Sequence, residues 1–216
     1  MTPRPVERWS AATAALAAAD PAMAAFVAGA GPCRLVRRRH PGGAFAALAR
    51  SILYQQLATG AAAAIHGRFA ALYGGRPTPA AVLATPVADL RAAGLSAAKA
   101  ASVRDLAARV LDGTVRLRGM DRLGDDEIIE RLCTVRGIGP WTAQMFLVFQ
   151  LNRPDVWPVA DLGVRAGYAR IAGLAEPPAA RELVAAGERY RPWRTVAAWY
   201  CWRAVDAGVS PRPAGW

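Results

Sequence analysis

The sequence predicts an all-α protein, and three observations carry that expectation. Apolar residues recur at spacings of three and four, as on the buried face of a helix. Ser, Thr or Asp stands at the start of several such segments, and Gly or Pro stands at their ends. No segment shows the period-two alternation of a half-buried strand, although Cys33 to Val36 is a single strand candidate. A chain of 216 residues is also long enough to bury a core without disulfides.

The same start and stop signals predict each helix in turn. Thr85, Ser96, Asp125 and Asp161 are predicted to cap helices, because their side-chain oxygens can accept a backbone N–H of the first turn. The predicted helices are 7–29 (one or two, divided at Pro21), 45–53, 61–73, 86–94, 97–112, 125–132, 140–151, 162–171, 178–190 and 193–206. Pro140 and Pro192 open two of them, since a helix does not need the N–H that proline lacks there.

A turn with two glycines joins the helices 125–132 and 140–151 into a hairpin. Gly137 and Gly139 allow the backbone to adopt unusual φ values and to come close to a ligand. The free N–H groups at the start of the second helix point outward, which favours phosphate. The alternative is an ordinary αα-corner whose glycines only turn the chain.

The net charge and the cysteine content limit which classes of function this chain can have. The chain has 27 basic and 16 acidic residues and a net charge of +11, which suits a polyanionic partner. Only Lys99 is a lysine. The three cysteines are far apart and form no Cys-x-x-Cys pair for zinc or an iron–sulfur cluster, so we expect reduced thiols. We expect no membrane span and no signal peptide, and hence a cytoplasmic location.

A carboxylate follows the hairpin at a predicted helix start. The order is hairpin, amphipathic helix and then Asp161, within the segment Asp155 to Arg165. In this order the chain resembles the helix-hairpin-helix DNA glycosylases, and within them the AlkA-type 3-methyladenine glycosylases, from about Phe45 to Trp202. The resemblance implies two helical subdomains that flank a DNA-binding cleft. One comprises 45–149, with the helix-hairpin-helix at about 125–151, and the other is formed by 1–44 and 150–216.

The resemblance also implies a role for individual residues. Asp161 falls on the catalytic carboxylate of the family. The hairpin residues Gly137, Ile138, Gly139 and Thr142 fall on the segment that binds the DNA backbone. Family members insert a side chain into the duplex from the turn after the first subdomain helix, which implies Gln56 or Leu57 as the wedge. The residues implied for the base pocket are Trp141, Trp202, Met145 and Tyr54. Because Met145 stands where AlkA has a tyrosine, base selectivity need not be identical.

The implied reaction is hydrolysis of the N-glycosidic bond of alkylated purines such as 3-methyladenine and 7-methylguanine. A carboxylate can stabilise the oxocarbenium-like sugar, and a positively charged base can stack on aromatic rings. Trp141 stands where strand-cleaving relatives have a lysine, so the expected enzyme is monofunctional. The alternatives are a glycosylase for deaminated, oxidised or mismatched bases, and a non-catalytic DNA-binding protein in which Asp161 is only a cap.

The expected partner is double-stranded DNA that contains damaged bases, bound by a monomer. The resemblance implies no cofactor and no metal held by side chains. It leaves open a monovalent cation on the backbone carbonyls of the hairpin.

Overall fold

The computed structural model describes residues 5–206, with side chains from Glu7 onward, and this part of the chain is helical with no strand. The all-α prediction is therefore confirmed for these residues. The α-helices are α1 (Pro5–Ala19), α2 (Pro21–Ala30), α3 (Gly43–Tyr54), α4 (Thr59–Ala71), α5 (Pro79–Ala84), α6 (Val87–Ala92), α7 (Ala97–Leu111), α8 (Asp125–Cys133), α9 (Pro140–Phe146), α10 (Leu162–Ala172), α11 (Ala180–Gly187) and α12 (Arg194–Val205). A π-helical turn, Leu147–Leu151, extends α9, and 3-10 turns occupy Met120–Arg122 and Glu188–Tyr190.

The described chain divides into two compact units. Residues 5–37 and 152–206 form the first unit, which contains α1, α2 and α10 to α12. Residues 38–151 form the second unit, which contains α3 to α9.

Within the first unit, the buried carboxylate of Asp20 connects the N-terminal segment to the C-terminal segment. Asp20 caps α2 through hydrogen bonds from the backbone N–H groups of Ala22 and Met23. Its other oxygen accepts a hydrogen bond from the Tyr190 hydroxyl at 2.5 Å, 170 residues later in the chain. Burial works to raise the pKa of Asp20, but the hydrogen bond from Tyr190 and those from the backbone outweigh it and lower the pKa. The carboxylate thus stays charged between the N- and C-terminal segments.

The second unit is built on α3, whose residues are mostly buried. Nine of its side chains lie in the core, Phe45 to Ala49 and Ser51 to Tyr54. Helices α4 and α7 pack on it, and α8 packs against α9 through the hairpin turn. The helix predicted for 97–112 is confirmed, because Ser96 accepts a hydrogen bond from the Lys99 N–H at 3.2 Å.

Some of the predicted boundaries are wrong. Thr85 does not cap a helix: its hydroxyl donates back to the Ala81 carbonyl at 2.9 Å, so it ends the unpredicted helix α5. Thr78 caps that helix instead, by accepting a hydrogen bond from the Ala81 N–H. Asp125 is the first residue of α8, and its cap position is Gly124.

Two further expectations also fail. The segment Cys33 to Val36 is not a strand; it has no regular secondary structure, and its apolar side chains Cys33 and Leu35 are simply buried. Pro192 does not open the last helix, which begins at Arg194 after a cis Arg191–Pro192 bond. Within the described residues, no helix is both long and apolar enough to cross a lipid bilayer.

Candidate functional site

Asp161 is a buried carboxylate at the start of α10. It occupies the N-cap position with φ −74° and ψ 120°, and only 7% of its surface is exposed. Its Oδ1 accepts a hydrogen bond from the Val164 N–H at 2.8 Å and a second from the Trp202 Nε1–H at 2.9 Å. The free N–H groups of a helix start favour negative charge. Together, these contacts fix the carboxylate in one position and direct positive dipoles toward it.

Two glycines explain how α12 comes close enough to supply that indole. A Cβ on Gly167 would lie 1.9 Å from the Cys201 carbonyl oxygen, so α10 and α12 meet backbone to backbone at this point. A Cβ on Gly163 would lie 2.9 Å from Trp202 Cδ1 and 3.1 Å from Asp161 Oδ1. The absence of side chains on this face of α10 therefore creates the Asp161–Trp202 pair.

The thiol of Cys201 neighbours this pair. Cys201 is completely buried. Burial raises the pKa of its thiol well above the ordinary range, and the Asp161 charge adds to the rise. The Cys201 thiol therefore stays protonated and neutral.

The hairpin turn of the second unit contains two glycines in different conformations. Gly137 has φ +80°, and a Cβ there would lie 2.8 Å from Ser102 Oγ. Gly139 has φ −101° and is the N-cap of α9, and a Cβ there would meet nothing within 4 Å. Ile138 and Thr142 are buried, so their side chains offer little surface to a ligand, whereas the Arg136 side chain and the backbone at Gly137 and Gly139 are exposed.

The turn after α3 lies against the hairpin. Gln55 Nε2 donates a hydrogen bond to the Gly137 carbonyl at 2.8 Å and lies 3.3 Å from Thr142 Oγ1. Gln56 is exposed and has φ +55°, and Leu57 is 36% exposed. The two predicted wedge residues therefore project from a turn that Gln55 ties to the hairpin. The sequence reasoning assigned no role to Gln55.

The residues implied for the base pocket differ in accessibility. Trp141 is partly exposed, whereas Met145 has no exposed surface and packs inside the second unit. Tyr54 is 7% exposed, and the Arg50 guanidinium lies 4.2 Å from its ring centroid. Trp202 belongs to the first unit and directs its N–H at Asp161. A pocket role for these four residues stays a prediction.

Metal binding has little support in side chains. The described residues contain no group of three or more His, Cys, Asp or Glu side chains that could hold a metal ion. In the hairpin, the carbonyls of Leu132 and Val135 accept backbone N–H groups, and that of Gly137 accepts the Gln55 amide. Each carbonyl keeps a second lone pair, so a monovalent cation at the turn stays a prediction.

Comparison with known proteins places this geometry in a family. Residues 49–192 match the family described as HhH-GPD superfamily base excision DNA repair protein. The chain is 35% identical to DNA-3-methyladenine glycosylase 1 of Schizosaccharomyces pombe, over 84% of this chain and 80% of that protein.

Solved structures agree with the sequence relatives. The S. pombe 3-methyladenine DNA glycosylase in complex with abasic DNA has 33% identity and a TM-score of 0.81, covering 94% of this chain and 98% of that one. A Bacillus halodurans DNA-3-methyladenine glycosidase has 32% identity and a TM-score of 0.83, covering 91% of this chain and 89% of that one. The hairpin, the buried carboxylate and these matches together lead to one assignment: the chain belongs to the HhH-GPD superfamily of base excision DNA repair proteins.

Proposed function

We propose that this protein is a monofunctional DNA glycosylase that excises alkylated purines, such as 3-methyladenine and 7-methylguanine, from double-stranded DNA. The observation that carries the proposal is the buried Asp161 carboxylate, held at Oδ1 by the Val164 and Trp202 N–H groups. The relatives described above are named 3-methyladenine glycosylases or glycosidases, which supports this substrate class.

The reaction is hydrolysis of the bond between C1′ of the sugar and a base nitrogen. The base leaves with the bonding electron pair, and C1′ gains oxocarbenium character. Water that Asp161 positions then attacks C1′ and loses its proton to that carboxylate. A fixed carboxylate lowers the energy of that positive charge, because it needs no reorganisation when the charge develops. Alkylation at N3 or N7 makes a purine cationic, so the base departs as a neutral molecule without a general acid. One carboxylate therefore suffices for such substrates, and Asp161 is the residue proposed for it.

The hairpin is proposed to bind the DNA backbone through main-chain N–H groups around Gly137 and Gly139. Such contacts position a protein on DNA without reading its sequence. The net charge of +11 supports a binding energy that comes mostly from phosphate contacts and weakens steeply with salt. Gln56, or its neighbour Leu57, is proposed to fill the space that the flipped nucleotide leaves.

The decisive experiment measures base release from a panel of duplexes, each with one defined lesion. We expect release of 3-methyladenine and 7-methylguanine. In the Asp161→Asn variant, single-turnover excision should fall by about a hundredfold or more, the loss typical for removal of one such electrostatic group. Binding of damaged DNA without release by the wild type would support a non-catalytic binding protein. Release confined to deaminated, oxidised or mismatched bases would support the other alternative.

The product tests the monofunctional assignment. Trp141 occupies the position where strand-cleaving relatives have lysine, and the Lys99 ammonium is hydrogen-bonded to the carbonyls of Leu53 and Gln55. The expected product is an intact strand with an abasic site, and borohydride should trap no covalent adduct. A trapped adduct that disappears in Lys99→Ala would overturn the assignment. The monomeric state and the cytoplasmic location stay predictions, and sedimentation with and without DNA tests the first.

A further inference from the structure

One face of α7 contacts both DNA-directed turns of the second unit. Lys99, Ser102 and Asp105 follow one another at three-residue spacing and so share that face. Asp105 Oδ2 accepts a hydrogen bond from the Arg136 N–H of the hairpin at 2.8 Å. Ser102 lies directly beneath Gly137, where a Cβ would meet its Oγ at 2.8 Å. The hairpin turn thus rests on two positions of α7.

The third position of this face supports the turn that carries the predicted wedge. Lys99 Nζ donates hydrogen bonds to the Leu53 carbonyl at 2.5 Å and to the Gln55 carbonyl at 2.9 Å. Leu53 lies in the last turn of α3, and Gln55 is its C-cap. An ammonium group at the end of a helix satisfies carbonyls that have no helical partner, and its charge complements the helix dipole.

The backbone of the wedge turn needs such support. Gln56 has φ +55°, a left-handed conformation that a non-glycine residue keeps only where its surroundings impose it. The residue before it is fixed at both ends: its carbonyl accepts from Lys99, and its side-chain amide donates to the Gly137 carbonyl. Lys99 and Gln55 therefore set where Gln56 projects relative to the hairpin.

We propose that Lys99 is a positioning residue for base flipping, which holds the wedge turn in register with the hairpin so that backbone binding and wedge insertion act as one rigid unit. This inference rests on the proposed function of the two turns. Lys99 does not touch DNA in this role. Losing its ammonium should leave backbone binding intact and lower the population of the flipped state.

The test compares Lys99→Met with Arg104→Met. Arg104 is a matched control because it also lies on α7 and donates to main-chain carbonyls, those of Leu83 and Thr85, but in the α5–α6 segment. Single-turnover excision is measured on a duplex and on a single strand that carry the same alkylated base. Lys99→Met should slow duplex excision by about tenfold or more and leave single-strand excision within about twofold, because only the duplex requires a wedge. Arg104→Met should change both substrates by the same factor.

Three results would overturn the inference. One is an equal loss of excision on both substrates in Lys99→Met. Another is a decrease of about one, in Lys99→Met, in the slope of the logarithm of the affinity for undamaged duplex against the logarithm of the salt concentration, because such a decrease indicates a lost phosphate contact. The third is an unchanged fluorescence increase from 2-aminopurine beside the lesion, because it means that flipping is unaffected. If Lys99→Met does not fold, Gln55→Met replaces it, with the same expected loss confined to the duplex.

A parallel variant separates this inference from the proposed function. Gln56→Ala combined with Leu57→Ala should itself show the loss confined to the duplex. If it does and Lys99→Met does not, the positioning role is wrong and the wedge stands. If the double variant shows no such loss, the wedge assignment fails first.

Discussion

Replacing Gly137 with Ala tests the hairpin turn at its most constrained residue. Gly137 has φ +80°, which costs a residue with a Cβ about 1–2 kcal/mol. The new Cβ would also lie 2.8 Å from Ser102 Oγ and 3.3 Å from Ser102 Cβ. Such overpacking typically costs about 1–3 kcal/mol, while the stiffer unfolded chain returns roughly 0.4–1 kcal/mol. The expected net loss of unfolding free energy is roughly 1–5 kcal/mol.

The assay is thermal melting, with Gly139→Ala as the matched control. A loss near 2.5 kcal/mol lowers the melting temperature of a chain of this size by roughly 5–10 °C. Gly139 has φ −101° and open space around its Cβ, so its Ala variant should melt within about 1 kcal/mol of the wild type. Gly139→Ala should instead weaken binding to damaged and undamaged duplexes alike, because a methyl group would stand where the backbone approaches phosphate.

The Ser102 contact makes the reasoning refutable at a second point. In a Gly137→Ala variant, Ser102→Ala removes the oxygen that lies 2.8 Å from the new Cβ and should recover part of the lost stability. Equal melting temperatures for the two glycine variants would show that the turn does not depend on the φ of Gly137. No recovery with Ser102→Ala would show that the contact with Ser102 Oγ contributes nothing to the cost, which then lies in the φ of residue 137 or in the contact with Ser102 Cβ.

Three other predictions concern Asp161, Trp202 and the half-buried His66. Asp161→Asn should melt close to the wild type, because an amide oxygen can still cap α10 and accept the hydrogen bond from Trp202. Asp161→Ala loses both the cap and this acceptor, so its free energy of unfolding, measured in urea, should fall by roughly 2–4 kcal/mol. Trp202→Phe keeps an aromatic ring but removes the indole N–H, so single-turnover excision should fall. In an Asp161→Asn background the same change should slow the reaction no further, because both residues act through one carboxylate. Burial, with the charges of Arg50 and His40, lowers the pKa of His66 from 6.5 to about 4. The unfolded chain therefore binds more protons than the folded protein between these two pH values, and the free energy of unfolding should fall as the pH drops through that range. His66→Gln should flatten this dependence by on the order of 1–2 kcal/mol after allowance for solvent screening, and a slope unchanged from the wild type would contradict the assignment.

The parts of the fold that the sequence predicted are those set by neighbouring residues. Ser96 caps α7, and Gly173 ends α10 with φ +68°, because caps need only the residues within one turn. Thr85 shows where this reasoning fails. A threonine before a proline has the pattern of a cap, but its hydroxyl donates to the preceding helix instead. Both bonds are local, and the sequence does not rank them.

The sequence predicted which residues belong to the candidate site, but it did not predict the contacts between them. Asp161 was identified through the family resemblance, but its bond to Trp202 joins positions 41 residues apart. Gln55 reaches the hairpin across 82 residues, and Lys99 reaches the wedge turn across 44 and 46. Such links depend on how helices pack, which residue spacing does not define. One sequence signal was present, since Lys99 is the single lysine among 27 basic residues, and an ammonium is more compact than a guanidinium.

That single lysine gives the protein a built-in spectroscopic probe. Growth on ¹³C,¹⁵N-labelled lysine would label a single residue, Lys99, so that its side-chain resonances can be followed without overlap from other lysines. Burial lowers the pKa of Lys99, so its ε-methylene resonance should titrate below that of an exposed lysine. The resonance would report on the carbonyls of Leu53 and Gln55 as DNA is added, and so follow the wedge turn in solution without any mutation.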